Sequence, residues 1–305
     1  EEAGNWAEWM VVDEVGGEEE EVEVEMELLP DESDFSSDEE EKEDPLIPYI
    51  DAHYHPDTLA KRFGHKWQDP PGFYFLSGVG NHVNSRNFPK PHVVELPNLR
   101  KTIGCHPKGC SDYWKLVAPQ LDTQTALHYA VAIGECGLDY SGRNFDAHQQ
   151  KEVFSHQINY ARDHHFPLVL HVRSGRNEGQ AEKDTWEILL NSNLESDQKI
   201  HYHCYTGSYC QAKEWRGQFP GMLFGVSPKA LDPQNIDFQE FIQKAPLEWL
   251  VVESDAPHLT MEQFPESHTP AIIPSILKHM SHLRGEPIEL VAEKIVENTK
   301  QFYMI

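Results

Sequence analysis

Tyr49-Ile50-Asp51-Ala52-His53-Tyr54-His55 is a short apolar run that ends in two histidines two residues apart. On a strand, side chains at i, i+2 and i+4 share a face. Asp51, His53 and His55 therefore point the same way, and Asp51 is placed to orient one of the imidazoles. His-x-His alone says little, but the pattern recurs. Ala132-Ile133-Gly134-Glu135, Pro167-Leu168-Val169-Leu170-His171, Lys199-Ile200-His201-Tyr202-His203 and Leu250-Val251-Val252-Glu253-Ser254-Asp255 are also apolar runs that end in a metal-capable side chain. A lone barrel histidine packs more often than it ligates. Five such ends in one chain are hard to explain by packing. Strand ends that converge on one point belong to the C-terminal face of a parallel barrel. The spacing leaves open whether His201 or His203 is the ligand. It puts His201 deeper on the same face.

Outward from these runs, eight candidate strands appear at 47–53, 73–80, 100–105, 130–135, 167–172, 199–204, 221–226 and 249–254. Helical spacing fills the gaps. Asp146 with Gln149 three residues later reads as a capping-box start, and Val153, Phe154, Gln157, Ile158 and Ala161 follow on one face. Thr185 to Leu190 carries a shorter face. Pro287 suits a first helical turn, ahead of the stripe Ile288, Val291, Ala292, Ile295, Thr299 and Phe302. Alternating strands and helices, eight strands in all, predict a (β/α)8 TIM-like barrel over residues 46–305. An open doubly wound sheet is the alternative that periodicity leaves standing.

The chain has 305 residues and a net charge of -26, but the charge is not spread evenly. Residues 1–44 hold 21 acidic residues and one lysine, a charge of -20, while the remainder has 30 acidic and 24 basic residues, a charge of -6. Residues 1–45 thus read as a disordered acidic extension suited to a basic protein partner. Within it, Glu21 to Leu28 alternates like an edge strand, and Ser36 and Ser37 each precede a glutamate by three, as acidophilic kinases require. The mildly acidic remainder excludes a broad basic nucleic-acid face but not a local phosphate site. Five cysteines, in no repeated spacing, fit reduced thiols inside a cell, in cytoplasm or nucleus. No apolar run is long enough to span a bilayer.

Asp51-Ala-His53-Tyr-His55, Gly104-Cys-His106-Pro107, Gly134-Glu135-Cys-Gly137-Leu138-Asp139-Tyr140, Pro167-Leu-Val-Leu-His171-Val-Arg173, His203-Cys-Tyr-Thr-Gly207 and Glu253-Ser-Asp255-Ala-Pro257 resemble, in order, the motifs of the TatD family of metal-dependent deoxyribonucleases. The acidic extension and Lys199-Ile-His-Tyr-His-Cys-Tyr-Thr-Gly-Ser look most like its TATDN2-type branch in animals. The resemblance implies a barrel of the amidohydrolase superfamily that hydrolyses phosphodiesters in DNA or RNA, from a 3′ end or on single strands. It maps the metal motif onto His53, His55, Glu135, His171, His203 and Asp255, and so selects His203 over His201. His106 and Arg173 fall where substrate phosphate is met.

Four imidazoles and two carboxylates suit Zn²⁺ or Mn²⁺ better than Ca²⁺, and the resemblance adds Mg²⁺. Six ligands exceed one tetrahedral site, so two ions are expected. Glu135 would bridge them, and Asp255 would both ligate and take the proton of the attacking water. Lys61-Arg62, His65-Lys66 and Trp67 are candidates for phosphate contact and base stacking, against a plainer reading of Trp67 as core. Two alternatives are another hydrolase of the superfamily, which would carry a carbamylated lysine in place of Glu135, and a scaffold, which should have lost ligands. One departure stands out. Phe264-Pro265-Glu266-Ser267-His268-Thr269-Pro270 lacks the Arg-Gly and the Asn usual in the family after the last motif.

Overall fold

The computed structural model describes residues 45–64, 66–82, 98–127 and 129–305. The acidic extension, with the alternation at Glu21 to Leu28 and with Ser36 and Ser37, lies outside the described residues, as does His65.

All eight expected strands form: β1 (Ile47–Tyr54), β2 (Phe73–His82), β3 (Leu99–Ile103), β4 (Ala132–Asp139), β5 (Leu168–Arg173), β6 (Ile200–Tyr202), β7 (Met222–Val226) and β8 (Leu250–Val252). They pair in sequence order and every described pairing is parallel. The seam between β8 and β1 is stitched just past the strand ends. Asp255 N donates to His53 O (2.9 Å) and His55 N to Ala256 O (2.8 Å). The sheet therefore curls into a barrel, and the open-sheet alternative falls away.

Helices α1 (Pro56–Phe63), α2 (Leu121–Leu127), α3 (Ala147–Asp163), α4 (Gln180–Leu190), α5 (Tyr209–Gln218), α6 (Ile236–Lys244), α7 (Ile273–Arg284) and α8 (Ile288–Tyr303) alternate with the strands. Asp146 caps α3 by accepting from Gln149 N at 3.0 Å, half of the expected box. The full reciprocal box sits on α5, between Ser208 and Gln211. The main core lies between the strands and these helices, and α8 buries Val291, Ala292 and Ile295 there. Burying each large aliphatic side chain contributes roughly 1.5–3 kcal/mol. Inside the barrel, Val169 and Val251 lie two and four residues before His171 and Asp255. Phe302 and Tyr303 from the end of α8 pack into that interior cluster and fill it below the site.

One element differs from expectation in a way that matters. The fourth strand does not stop at Glu135 but runs on to Asp139. Gly137 makes this possible. Its φ is +145°, and a Cβ there would sit 2.1 Å from His171 O, so only glycine lets β4 lie this close to β5.

Candidate metal centre

Glu135 sits at the middle of the cluster. It is almost fully buried, and its two oxygens face different neighbours. Oε2 lies 3.6 Å from both His53 Nε2 and His55 Nε2. Oε1 lies 2.5 Å from His171 Nδ1, 3.7 Å from His203 Nε2 and 3.8 Å from His106 Nε2. Asp255 Oδ1 closes the near side at 3.2 Å from His55 Nε2, 3.8 Å from His53 Nε2 and 3.9 Å from His203 Nε2. The imidazoles of His53 and His203 stack at 3.6 Å between centroids. The barrel thus brings together all six residues of the expected ligand set, from five strands or the residues just beyond them. The turn after β8 puts Asp255 in the left-handed region (φ 51°), where its N–H can reach β1.

Hydrogen bonds fix which nitrogen of each imidazole faces the centre. Glu253 Oε2 accepts from His203 Nδ1 at 3.0 Å, which leaves the Nε2 lone pair aimed at Glu135 and Asp255. Asp139 Oδ2 lies 3.1 Å from His171 Nε2, which turns His171 Nδ1 to Glu135. His106 is held the other way round. Lys108 N donates to His106 Nδ1 at 3.0 Å, so the ring proton sits on Nε2, the atom facing Glu135. His106 therefore offers a donor to the centre and not a lone pair. His201 lies deeper, with Nδ1 2.7 Å from Tyr303 OH and Nε2 3.1 Å from Glu253 Oε2.

The charges follow from this crowding. Burial, then His203, pushes the His53 pKa down to about 4. Burial works against charge on His55 too, but Asp255 and Glu135 outweigh it and raise its pKa. Burial also disfavours the Glu135 carboxylate, yet His106 and His171 hold its pKa well below the usual range. The same balance, against His203 and His55, lowers Asp255.

These donors fit divalent metal. Glu135 Oε2 is buried with no hydrogen-bond partner among the described residues, although two imidazole nitrogens stand near it. A carboxylate left so would be costly without a cation to meet it. His53, His55 and Asp255 present ligand atoms within 4.8 Å of one another.

A model of the TatD-related DNase family matches residues 50–304. The chain belongs to that family. It is 31% identical over 208 residues to human 3'-5' RNA nuclease TATDN2, a match that covers 67% of this chain but 26% of the human protein. It is 31% identical over 209 residues to the 3'-5' ssDNA/RNA exonuclease TatD of Pantoea ananatis, covering 66% of this chain and 76% of that one. Among solved structures, the TatD homologue YJJV of Escherichia coli K12 shares the fold with a TM-score of 0.70 at 22% identity, covering 84% of this chain and 98% of that one.

Set in this TatD barrel, several expectations need correction. Asp51 orients no imidazole. Its Oδ1 accepts from Ser254 N (3.0 Å) and His53 N (3.1 Å), and its Oδ2 from Ser254 Oγ (2.5 Å), so it ties β1 to the residues after β8. Trp67 packs edge-on against Phe75 at 5.0 Å, next to the cluster of Tyr54, Leu59 and Leu99, as the plainer reading had it. Arg173 ends β5 half-buried beside Asp139 of β4, and its guanidinium has no ion pair among the described residues.

Two carboxylates of the TatD centre escaped the sequence reading: Glu253 and Asp139. Their spacing was the available clue. Glu253 is two before Asp255, and Asp139 four after Glu135, on the inward faces of their strands. Lys108, whose Nζ lies 3.0 Å from the buried Asp139, had no such clue. In the stretch that departs from the family, Thr269 caps the short turn Pro270–Ile272 that leads into α7, and Ser267 is buried with its Oγ accepting from Met261 N at 2.7 Å.

Proposed function

We propose that this chain is a metal-dependent nuclease that hydrolyses phosphodiester bonds in DNA or RNA, from a 3′ end or on single strands. The observation that carries this reading is Glu135, a buried carboxylate that spans two sets of imidazoles with one oxygen accepting no hydrogen bond among the described residues. Family membership supports the chemistry, and the names of the human and Pantoea relatives support the substrate class.

His53, His55 and Asp255 would hold one divalent ion, His171 and His203 a second, with Glu135 shared between them. Mg²⁺, Mn²⁺ or Zn²⁺ bound there would supply a Lewis acid for the phosphoryl oxygens and water activated near neutral pH. Asp255, held ionised by the neighbouring imidazoles, would take the proton from the attacking water. His106 would donate its Nε2 proton to a phosphate oxygen. The guanidinium of Arg173, with no ion pair among the described residues, would neutralise the phosphate, since its fork fits two oxygens at once. A lactonase or phosphotriesterase reading is disfavoured by Glu135 itself, which stands where a carbamylated lysine would be needed.

Residues 1–45 we place outside the catalytic unit of 46–305, as an acidic segment suited to a basic protein partner. The free cysteines fit a reducing intracellular compartment, cytoplasm or nucleus. No described helix is long and apolar enough to cross a membrane.

The test is degradation of labelled single-stranded DNA, duplex DNA and RNA with Mg²⁺, Mn²⁺ or Zn²⁺. Asp255→Asn should lose at least a hundredfold in rate and keep the wild-type circular dichroism spectrum. Full activity in that variant removes Asp255 as the base. No cleavage of any strand by the wild type with any of the three ions removes the nuclease reading.

A further inference from the structure

We infer that Phe63 and His268 form a stacking platform for an unpaired base of the substrate strand, with Arg62 beside it for the adjoining phosphate. This rests on the nuclease reading above and adds to it the part of the substrate gripped outside the metal cluster.

Phe63 ends α1 with half of its surface exposed, an expensive position for an aromatic ring. It is not isolated. His268, in the turn Pro265–His268, lies against it at 4.5 Å between ring centroids, tilted by 42°. The two rings come from segments that follow β1 and β8, the strands whose ends carry His55 and Asp255 and meet at the seam. The pair therefore belongs to the side of the barrel where β1 meets β8.

The loop after β8 that carries His268 also carries His258, whose ring packs edge-on to His55 at 4.7 Å. Arg62 and Lys61 are exposed, and neither has an ion pair among the described residues. An aromatic pair with the Phe63 ring exposed and His268 half-buried, a cation with no ion pair among the described residues and a nearby phosphodiester site are the parts of a single-strand grip. Phe63 stands eight residues from His55, about 12 Å along the helix axis. That is far enough to hold a base beside the scissile nucleotide and not the scissile nucleotide itself. Stacking needs a free base face, so the platform favours single strands over duplex and is tolerant of sequence. His268 lies in the segment that departs from the family pattern. Trp67, another aromatic of this region, is half-buried and packs edge-on against Phe75.

The experiment is equilibrium binding of a dye-labelled twelve-nucleotide DNA strand to the full chain, read by fluorescence anisotropy with a chelator present to prevent cleavage. Phe63→Leu keeps an apolar side chain and removes the ring face. It should weaken binding about tenfold, while Phe63→Tyr stays within twofold. A series of strands, each with one abasic position, locates the gripped base. At that position the wild type should lose about the same tenfold, and Phe63→Leu should lose nothing more. Equal losses for Phe63→Leu on the intact strand and on every abasic strand would overturn the platform, as would unchanged binding. If Phe63→Leu melts early, His268→Ala on the same strands decides the matter by the same criteria. The two readings fail separately. A wild type that cleaves strands but shows no ring dependence loses the platform and keeps the nuclease. A wild type that neither binds nor cleaves loses the nuclease, and the platform falls with it.

Discussion

His203 cannot be described without Glu253. A neutral imidazole has one donor and one acceptor nitrogen, and Glu253 decides which is which by accepting at 3.0 Å from Nδ1. Glu253 also takes an N–H from Cys204 and sits 3.1 Å from His201, so a buried carboxylate has its oxygens met from three sides. Glu253→Gln can present its amide to His203 Nδ1 and turn the tautomer over, putting a proton where the metal should be. We expect a 10–100-fold loss of metal affinity with the fold retained, measured by calorimetric titration with Mn²⁺ or Zn²⁺. Unchanged affinity would mean that His203 does not ligate through Nε2. Protons compete for the same nitrogens. Asp255 and Glu135 raise the His55 pKa above its ordinary 6.5 against the cost of burial. A raised pKa keeps the ring protonated to higher pH, so metal affinity is full above it and falls as pH drops through it. Metal content after dialysis from pH 8 to pH 5 should begin to decline above pH 6.5. Full retention at pH 5.5 would contradict that assignment.

The fourth strand shows what could and could not be read in advance. Its apolar residues and Glu135 were legible, as were the other seven strands, because short apolar runs between helical stretches leave few alternatives. Its continuation to Asp139 was not, because Gly134 and Gly137 read locally as breakers, whereas they serve a close approach to β5. Missing those residues also hid the role of Asp139, and with it the reason His171 turns Nδ1 inward. Asp51 misled for the opposite reason. The two-residue spacing puts it on the face of His53, but which groups it bonds depends on Ser254, some 200 residues away in sequence. A strand pattern gives the face and cannot give the partner. Gly137→Ala tests the element. The added Cβ would lie 2.1 Å from His171 O at a φ of +145°, so both backbone and neighbour must move. We expect a cost of roughly 2–4 kcal/mol and a melting temperature lower by on the order of 10 °C. Metal affinity should fall as well, because the shift bears on His171. A variant that melts like the wild type would show that β4 can move away from β5 freely.

The whole molecule divides by charge more sharply than by anything else. Residues 1–45 carry -20 and the rest only -6, so the long-range field that a polyanion meets is set mostly by the extension. The metal cluster and Arg173 act over a few ångströms, but repulsion from twenty charges acts over a Debye length, ~30 Å at 10 mM salt and ~8 Å at physiological salt. If the extension acts through this field, it opposes the attraction that the metal cluster and Arg173 would exert on a nucleic-acid substrate. Which one dominates depends on ionic strength. Deleting residues 1–45 leaves every described strand intact, since β1 begins at Ile47. If the extension acts through its field, the shortened chain should bind single-stranded DNA more tightly at 10 mM salt, and the advantage should shrink steadily as salt rises. The slope of log affinity against log salt would then be steeper for the shortened chain, because repulsion no longer offsets counterion release. Equal affinities and equal slopes would remove the extension from substrate selection. They would leave a basic protein partner as the use of its charge.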